Sequence, residues 1–157
     1  MRQVKRSALV SETPARMFEL INDIERYPQF VPWCSRAEVL ERGEQHIVAR
    51  LAIRRGPLRT SFTTRNELTA GRLIAMQLVD GPFRMLEGLW TLSPIVSPTA
   101  GPDDAMLGCR VELEMKFEFA NAVTAALLEP VFEQTVAQLV DAFVRRARSL
   151  RAPPAPA

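Results

Sequence analysis

From Cys109 to Phe119, Cys109, Val111, Leu113, Met115, Phe117 and Phe119 alternate with Arg110, Glu112, Glu114, Lys116 and Glu118. A period of two sends successive side chains to opposite faces, so this stretch predicts a strand with one buried and one solvated face. The same period, punctuated by Gly, Pro and Asp, runs through the segment before it. Arg36 to Glu41 turns at Arg42-Gly43-Glu44 into His46 to Ile53, and Leu58 to Leu68 follows Arg54-Arg55-Gly56-Pro57. Leu73 to Val79 follows Ala70-Gly71. Arg84 to Ser93, with Leu86, Gly88, Trp90 and Leu92 on one side, follows Asp80-Gly81-Pro82. Val4 to Val10 supplies one more strand at the start of the chain.

Two stretches follow a helical period instead. Thr13-Pro14 reads as an N-cap and a first helical residue, after which Met17, Leu20, Ile21 and Ile24 form an apolar stripe that ends near Tyr27-Pro28. A longer stripe of Phe132, Val136, Leu139, Val140, Phe143, Ala147 and Leu150 runs through the segment from about Val123 to Leu150. Pro130 predicts a short turn there, with the main helix beginning at the proline. Between the first helix and the sheet, Tyr27-Pro28-Gln29-Phe30-Val31-Pro32-Trp33-Cys34 predicts a stiff, extended, aromatic loop.

A meander of about seven antiparallel strands with one apolar face needs a cover, and only the C-terminal helix is long enough. The predicted fold class is therefore α+β, a curved sheet wrapped on that helix. One domain over residues 1–151 is expected, with an aperiodic loop over Pro94 to Ala105 and a disordered proline-rich tail over 152–157.

Composition narrows the function classes. At 157 residues, 47% hydrophobic and 24% charged, the chain suits one globular domain, and a net charge of +2 does not by itself point to nucleic acid. Neither a secretory leader nor an 18-residue apolar run is present, so a cytoplasmic location is expected. Cys34 and Cys109 form no disulfide framework or zinc spacing, and with His46 as the single histidine no metal site and no catalytic residue is expected. Cys34, without a histidine partner, reads as a small buried hydrophobe. Inward-facing Thr60, Thr64, Asn66, Met76 and Gly88 are unusual for a filled core. Either their polar groups bond to one another and to buried water, or they border an internal cavity of the kind that holds apolar ligands. Arg54, Arg55 and Arg59 form a basic turn, read as solvated surface before nucleic-acid site because no aromatic residue is interleaved.

Four stretches together resemble the bacterial ubiquinone-binding START-like family of the polyketide cyclase-like superfamily: Asp23 to Cys34, Leu78-Val79-Asp80-Gly81-Pro82-Phe83, Leu86-Glu87-Gly88-Leu89-Trp90 and Val140-Asp141-Ala142-Phe143. Members of that family are also described as ribosome-association toxins of type II toxin–antitoxin systems. The resemblance implies a helix-grip fold around a hydrophobic tunnel. It implies non-enzymatic carriage of ubiquinone or another isoprenoid lipid in support of respiratory electron transport, with no further cofactor and transient contact with the inner membrane. Strand phase and these motifs put Phe62, Thr64, Met76, Leu86, Trp90, Met115, Phe117, Phe132, Leu139 and Phe143 on the ligand wall. Phe30 and Trp33 then stand at the mouth, capping the tunnel or dipping into the membrane interface. The rival expectation is an inhibitor that binds a ribosomal subunit through Arg54 to Arg59 and Arg145 to Arg151. A cyclase-type enzyme using Thr64 and Asn66 is third, on fold analogy alone, and no DNA partner is expected.

Overall fold

The computed structural model describes residues 2–96 and 108–151. Most of the aperiodic loop and the whole proline-rich tail anticipated from the sequence lie outside the described residues. The elements are β1 (Arg2–Val10), α1 (Pro14–Asn22), a 3-10 helix (Ile24–Gln29), β2 (Cys34–Arg42), β3 (His46–Arg55), β4 (Leu58–Thr69), β5 (Leu73–Asp80), β6 (Phe83–Ile95), β7 (Gly108–Phe119) and α2 (Ala122–Arg151).

Every strand pairing is antiparallel, and the sheet order β1-β7-β6-β5-β4-β3-β2 is a meander whose last strand returns to meet the first. Register irregularities at Cys34/Arg36, Val39/Glu41, Thr63/Thr64 and Phe83/Met85 add local bend and twist. The alternation at Cys109 to Phe119 translates directly: all six apolar residues of that face are buried. Helix α2 lies on the apolar face against β1, β7 and β4. This is the sheet wrapped on the C-terminal helix expected from the pattern, and the helix grip that the resemblance implies.

Two boundaries differ from expectation. The first helix stops at Asn22, and Ile24 to Gln29 form a separate 3-10 helix that includes Tyr27 and Pro28. Asp23, at φ −83 and ψ 60, breaks the α ladder, and tighter i to i+3 bonds take over, with Arg26 N–H donating to Asp23 O at 3.1 Å. The aromatic stretch is thus wound over its first half rather than extended. Pro130 does not begin the main helix either; α2 runs unbroken through it. The carbonyl that loses its partner belongs to Ala126, and Ala126 and Pro130 are both exposed, so water can replace the missing bond. The real start is capped by Asn121, whose Oδ1 accepts from Val123 N–H at 2.8 Å and Thr124 N–H at 3.3 Å. At α1 the sequence reading holds: Thr13 Oγ1 accepts from Arg16 N–H at 3.1 Å, with Pro14 opening the helix.

Candidate functional site

The inward faces of β3 to β7, the 3-10 helix and the middle of α2 converge on a small cavity of about 50 Å³. Nine of the residues expected on a ligand wall or mouth border it: Trp33, Phe62, Thr64, Met76, Leu86, Trp90, Met115, Phe132 and Leu139. Ile24, Tyr27, Ala49, Leu51, Asn66, Thr135 and Val136 complete the lining. No charged side chain is among these residues. Phe30, Phe117 and Phe143 lie elsewhere. Phe117 and Phe143 are wholly buried in the aromatic packing behind the wall, and half-buried Phe30 packs edge-on against Tyr27 and Phe143 at 5.8 and 5.3 Å.

The mouth is therefore different from the expected rim. Trp33 is only 5% exposed, so it cannot reach a membrane interface, and Arg146 of α2 caps the outer face of Phe30 with its guanidinium 5.1 Å from the ring centre. Tyr27 donates its hydroxyl proton to Ile21 O and packs edge-on against Phe143 at 5.2 Å. Burial, first, and then the neighbouring Cys34 and Asp23 push the Tyr27 phenol well above its usual range. The stretch from Tyr27 to Cys34 is a plug locked to α2.

Space inside is limited by two methionines. A Cβ on Gly88 would come within 2.3 Å of Met76 Cε and 3.1 Å of Met115 Cε and Sδ, so the glycine holds open the room those two side chains fill. Ligand pockets usually measure about 300–1,000 Å³, and one water takes about 30 Å³. A cavity of about 50 Å³ accommodates one or two waters as it stands. Anything larger must displace Met76 and Met115, and thioether side chains are the ones that relocate most readily.

Polar groups on the wall are few. Thr64 Oγ1 donates to Asn66 Oδ1 at 2.8 Å, Thr135 Oγ1 donates to Val131 O at 2.8 Å, and Asn66 is 6% exposed. The sequence reading left open whether inward Thr64 and Asn66 bond to each other or border a cavity; they do both. Thr135 and Tyr27 were missed as lining residues, because a threonine on a helix and a tyrosine in a proline-rich loop carry no periodic signal.

Groups with catalytic potential are unfavourably placed. His46 sits at the start of β3 with its ring over Gly43 and Nε2 2.9 Å from Glu41 Oε2, on the far side of the sheet phase from the cavity residues. Burial pushes the Cys34 thiol up to about 11, which leaves little thiolate at neutral pH, and also raises Cys109. Among the described residues no group of three or more His, Cys, Asp and Glu could hold a metal ion.

Two surface features complete the picture. A groove of about 620 Å³ between α1, the β2–β3 turn and the end of α2 contains Arg16, Arg26, Arg42 and Arg146. The first three are ion-paired with Glu19, Asp23 and Glu25. On the outward face of the β3–β4 hairpin, Arg54 stands directly opposite Arg59. Both are exposed, and neither has an ion pair with a described residue. Like charges in register oppose each other, so this pair works against the hairpin it decorates.

With this geometry in view, the comparison with known proteins is direct. The family described as "Polyketide cyclase / dehydrase and lipid transport" matches residues 10–144. The chain belongs to this family. A curated relative from Vibrio cholerae named "Ribosome association toxin RatA" is 43% identical over 150 residues, covering 96% of this chain and 98% of that one. More distant is "Coenzyme Q-binding protein COQ10, mitochondrial" of Drosophila melanogaster, 26% identical over 147 residues, covering 93% of this chain and 58% of that one. Among solved structures, TTHA0849 from Thermus thermophilus superposes with a TM-score of 0.79 at 18% identity over 96% of this chain and all of that one, a likeness of fold. The family's START-like helix grip is therefore the fold of this chain. No described helix is long and apolar enough to cross a membrane.

Proposed function

We propose that this chain associates with the ribosome and opposes the joining of its subunits, without catalysing a reaction. The observation that carries this reading is the end-to-end match, at 43% identity, to a relative named as a ribosome association toxin. It reverses the order expected from the sequence, where lipid carriage came first. Two findings favour the reversal: the relative named for coenzyme Q is the more distant one, and the cavity is too small for an isoprenoid quinone as it stands. The opposed Arg54–Arg59 pair supports an anionic partner such as ribosomal RNA, and a cytoplasmic location belongs to the same reading. Overexpression followed by sucrose-gradient sedimentation tests the reading. Free subunits should rise at the expense of whole ribosomes; an unchanged ratio would remove it.

A second reading rests on the cavity itself: the protein also takes up a small apolar molecule. Sixteen lining residues without a charge among them support it, as does the flexible methionine pair. An isoprenoid quinone such as ubiquinone, with a role in respiratory electron transport and transient membrane contact, is one occupant within this reading. Solvent extraction of the purified protein with mass spectrometry of the extract is the direct check, and an extract free of any apolar compound counts against it.

A further inference from the structure

We propose that the cavity selects an uncharged apolar molecule that presents a carbonyl oxygen to the Asn66 amide, and rejects fatty-acid anions. The proposal rests on the second reading above and specifies the chemistry of its ligand. Asn66 is nine-tenths buried, and its single hydrogen bond uses only Oδ1, as acceptor from Thr64. That bond turns the amide so that Nδ2, with two protons to donate, has no partner among the described residues. The nitrogen is not sealed in the core either, since among the described residues Asn22 Oδ1 is the one fully buried side-chain polar atom without a partner, and Asn66 borders the cavity.

The hydroxyl protons near the cavity are already used. The Thr135 and Tyr27 hydroxyl protons are committed to Val131 O and Ile21 O, so neither hydroxyl has a proton left to donate. Trp33 and Trp90 border the cavity through their indole rings. The two unused Nδ2 protons of Asn66 call for an acceptor on the ligand. A carboxylate would also accept, but it would be buried without a counter-charge, because no arginine or lysine lines the cavity among the described residues. A ketone, quinone or ester oxygen meets both conditions.

The chain's only two tryptophans both border the cavity, so quenching of their fluorescence reports occupancy in the intact protein. The probes are decyl-benzoquinone (neutral, two carbonyls), decanoate at pH 8 (anionic) and decylbenzene (no acceptor), the last two read by competition. Saturable quenching by decyl-benzoquinone, with decanoate at least tenfold weaker, is expected. Asn66→Leu should weaken the quinone at least tenfold and leave decylbenzene unchanged; Asn66→Ala replaces it if the leucine variant does not fold. Equal affinity for decanoate, or quinone binding indifferent to both substitutions, overturns the proposal while leaving a ligand-binding cavity in place. Failure of all three probes, with water as the sole occupant, overturns the second reading and the proposal with it.

Discussion

Gly88 is the residue on which cavity size turns. Nothing but hydrogen on its Cα lets the ends of Met76 and Met115 lie where a Cβ would clash. Because the obstructing atoms are the tips of flexible side chains, Gly88→Ala should cost little stability, within about 1 kcal/mol, while forcing both methionines further into the cavity. Thermal melts would check the first half; loss of probe-induced quenching would check the second. A large drop in Tm would mean that the methionines have nowhere to go.

Cys34 and Tyr27 make a second residue-scale prediction. Cys34 titrates near its ordinary 9.0 when unfolded and about 11 when folded, so the neutral thiol contributes fully below pH 9 and that contribution is lost as pH rises through 11. Buried Tyr27, raised as well, acts in the same direction at higher pH. Stability should therefore fall from about pH 9 upward, and Cys34→Ala should flatten the first part of that fall in a series of denaturant titrations. A decline of the same steepness in the variant would discount the thiol. At this scale the strand residues were legible in advance: alternation placed Phe62, Thr64 and Asn66 on one face of β4, and all three are buried there. Phe117 and Phe143, expected on the wall, do not border the cavity. Pattern gives the face a side chain points to but not its depth, and both lie behind the wall residues.

Among the elements, α2 shows where local rules mislead. Proline lacks an N–H, so ending a helix at Pro130 was the sound local inference; the helix survives because α2 continues to pack on β1 and β7 and the orphaned carbonyl faces water. Arg2 of β1 reinforces that segment by bonding both Glu129 and Glu133, either side of the proline. Pro130→Ala should restore a backbone bond and raise stability by up to about 3 kcal/mol. A lower Tm would instead show that the packing of Val131 and Phe132 depends on the interruption. The plug from Tyr27 to Cys34 was legible as a stiff aromatic stretch, but its 3-10 winding was not, since the break at Asp23 carries no residue-type signature. Given the burial of Trp33, Trp33→Ala should destabilise by about 3–5 kcal/mol, as for other buried aromatics. Near-normal stability with faster ligand exchange would restore Trp33 as a cap over the tunnel mouth.

Across the whole molecule, one aromatic cluster ties the sheet to the helix. Phe132 of α2 meets Phe117 at 4.6 Å, Phe83 at 5.0 Å, Phe119 at 6.0 Å and Phe62 at 6.2 Å, which joins β4, β6 and β7 to one side chain. The overall architecture was readable because periods of two and of 3.6 each persisted for whole elements. The cavity was not readable in its dimensions, because its volume is a small difference between large packed volumes.

The sheet order carries a kinetic consequence. Strand β1 is made first, yet Val4 has no partner until Met115 arrives, and α2, which covers both, comes later still. Closing so long a loop is slow, so folding should pass through a stage in which β2 to β6 are paired while β1 and the apolar face remain open. Pulsed hydrogen exchange during refolding should protect the amides of β3 and β4 before those of β1. Until synthesis reaches the last helix, the nascent chain has an uncovered apolar surface at the ribosome's exit.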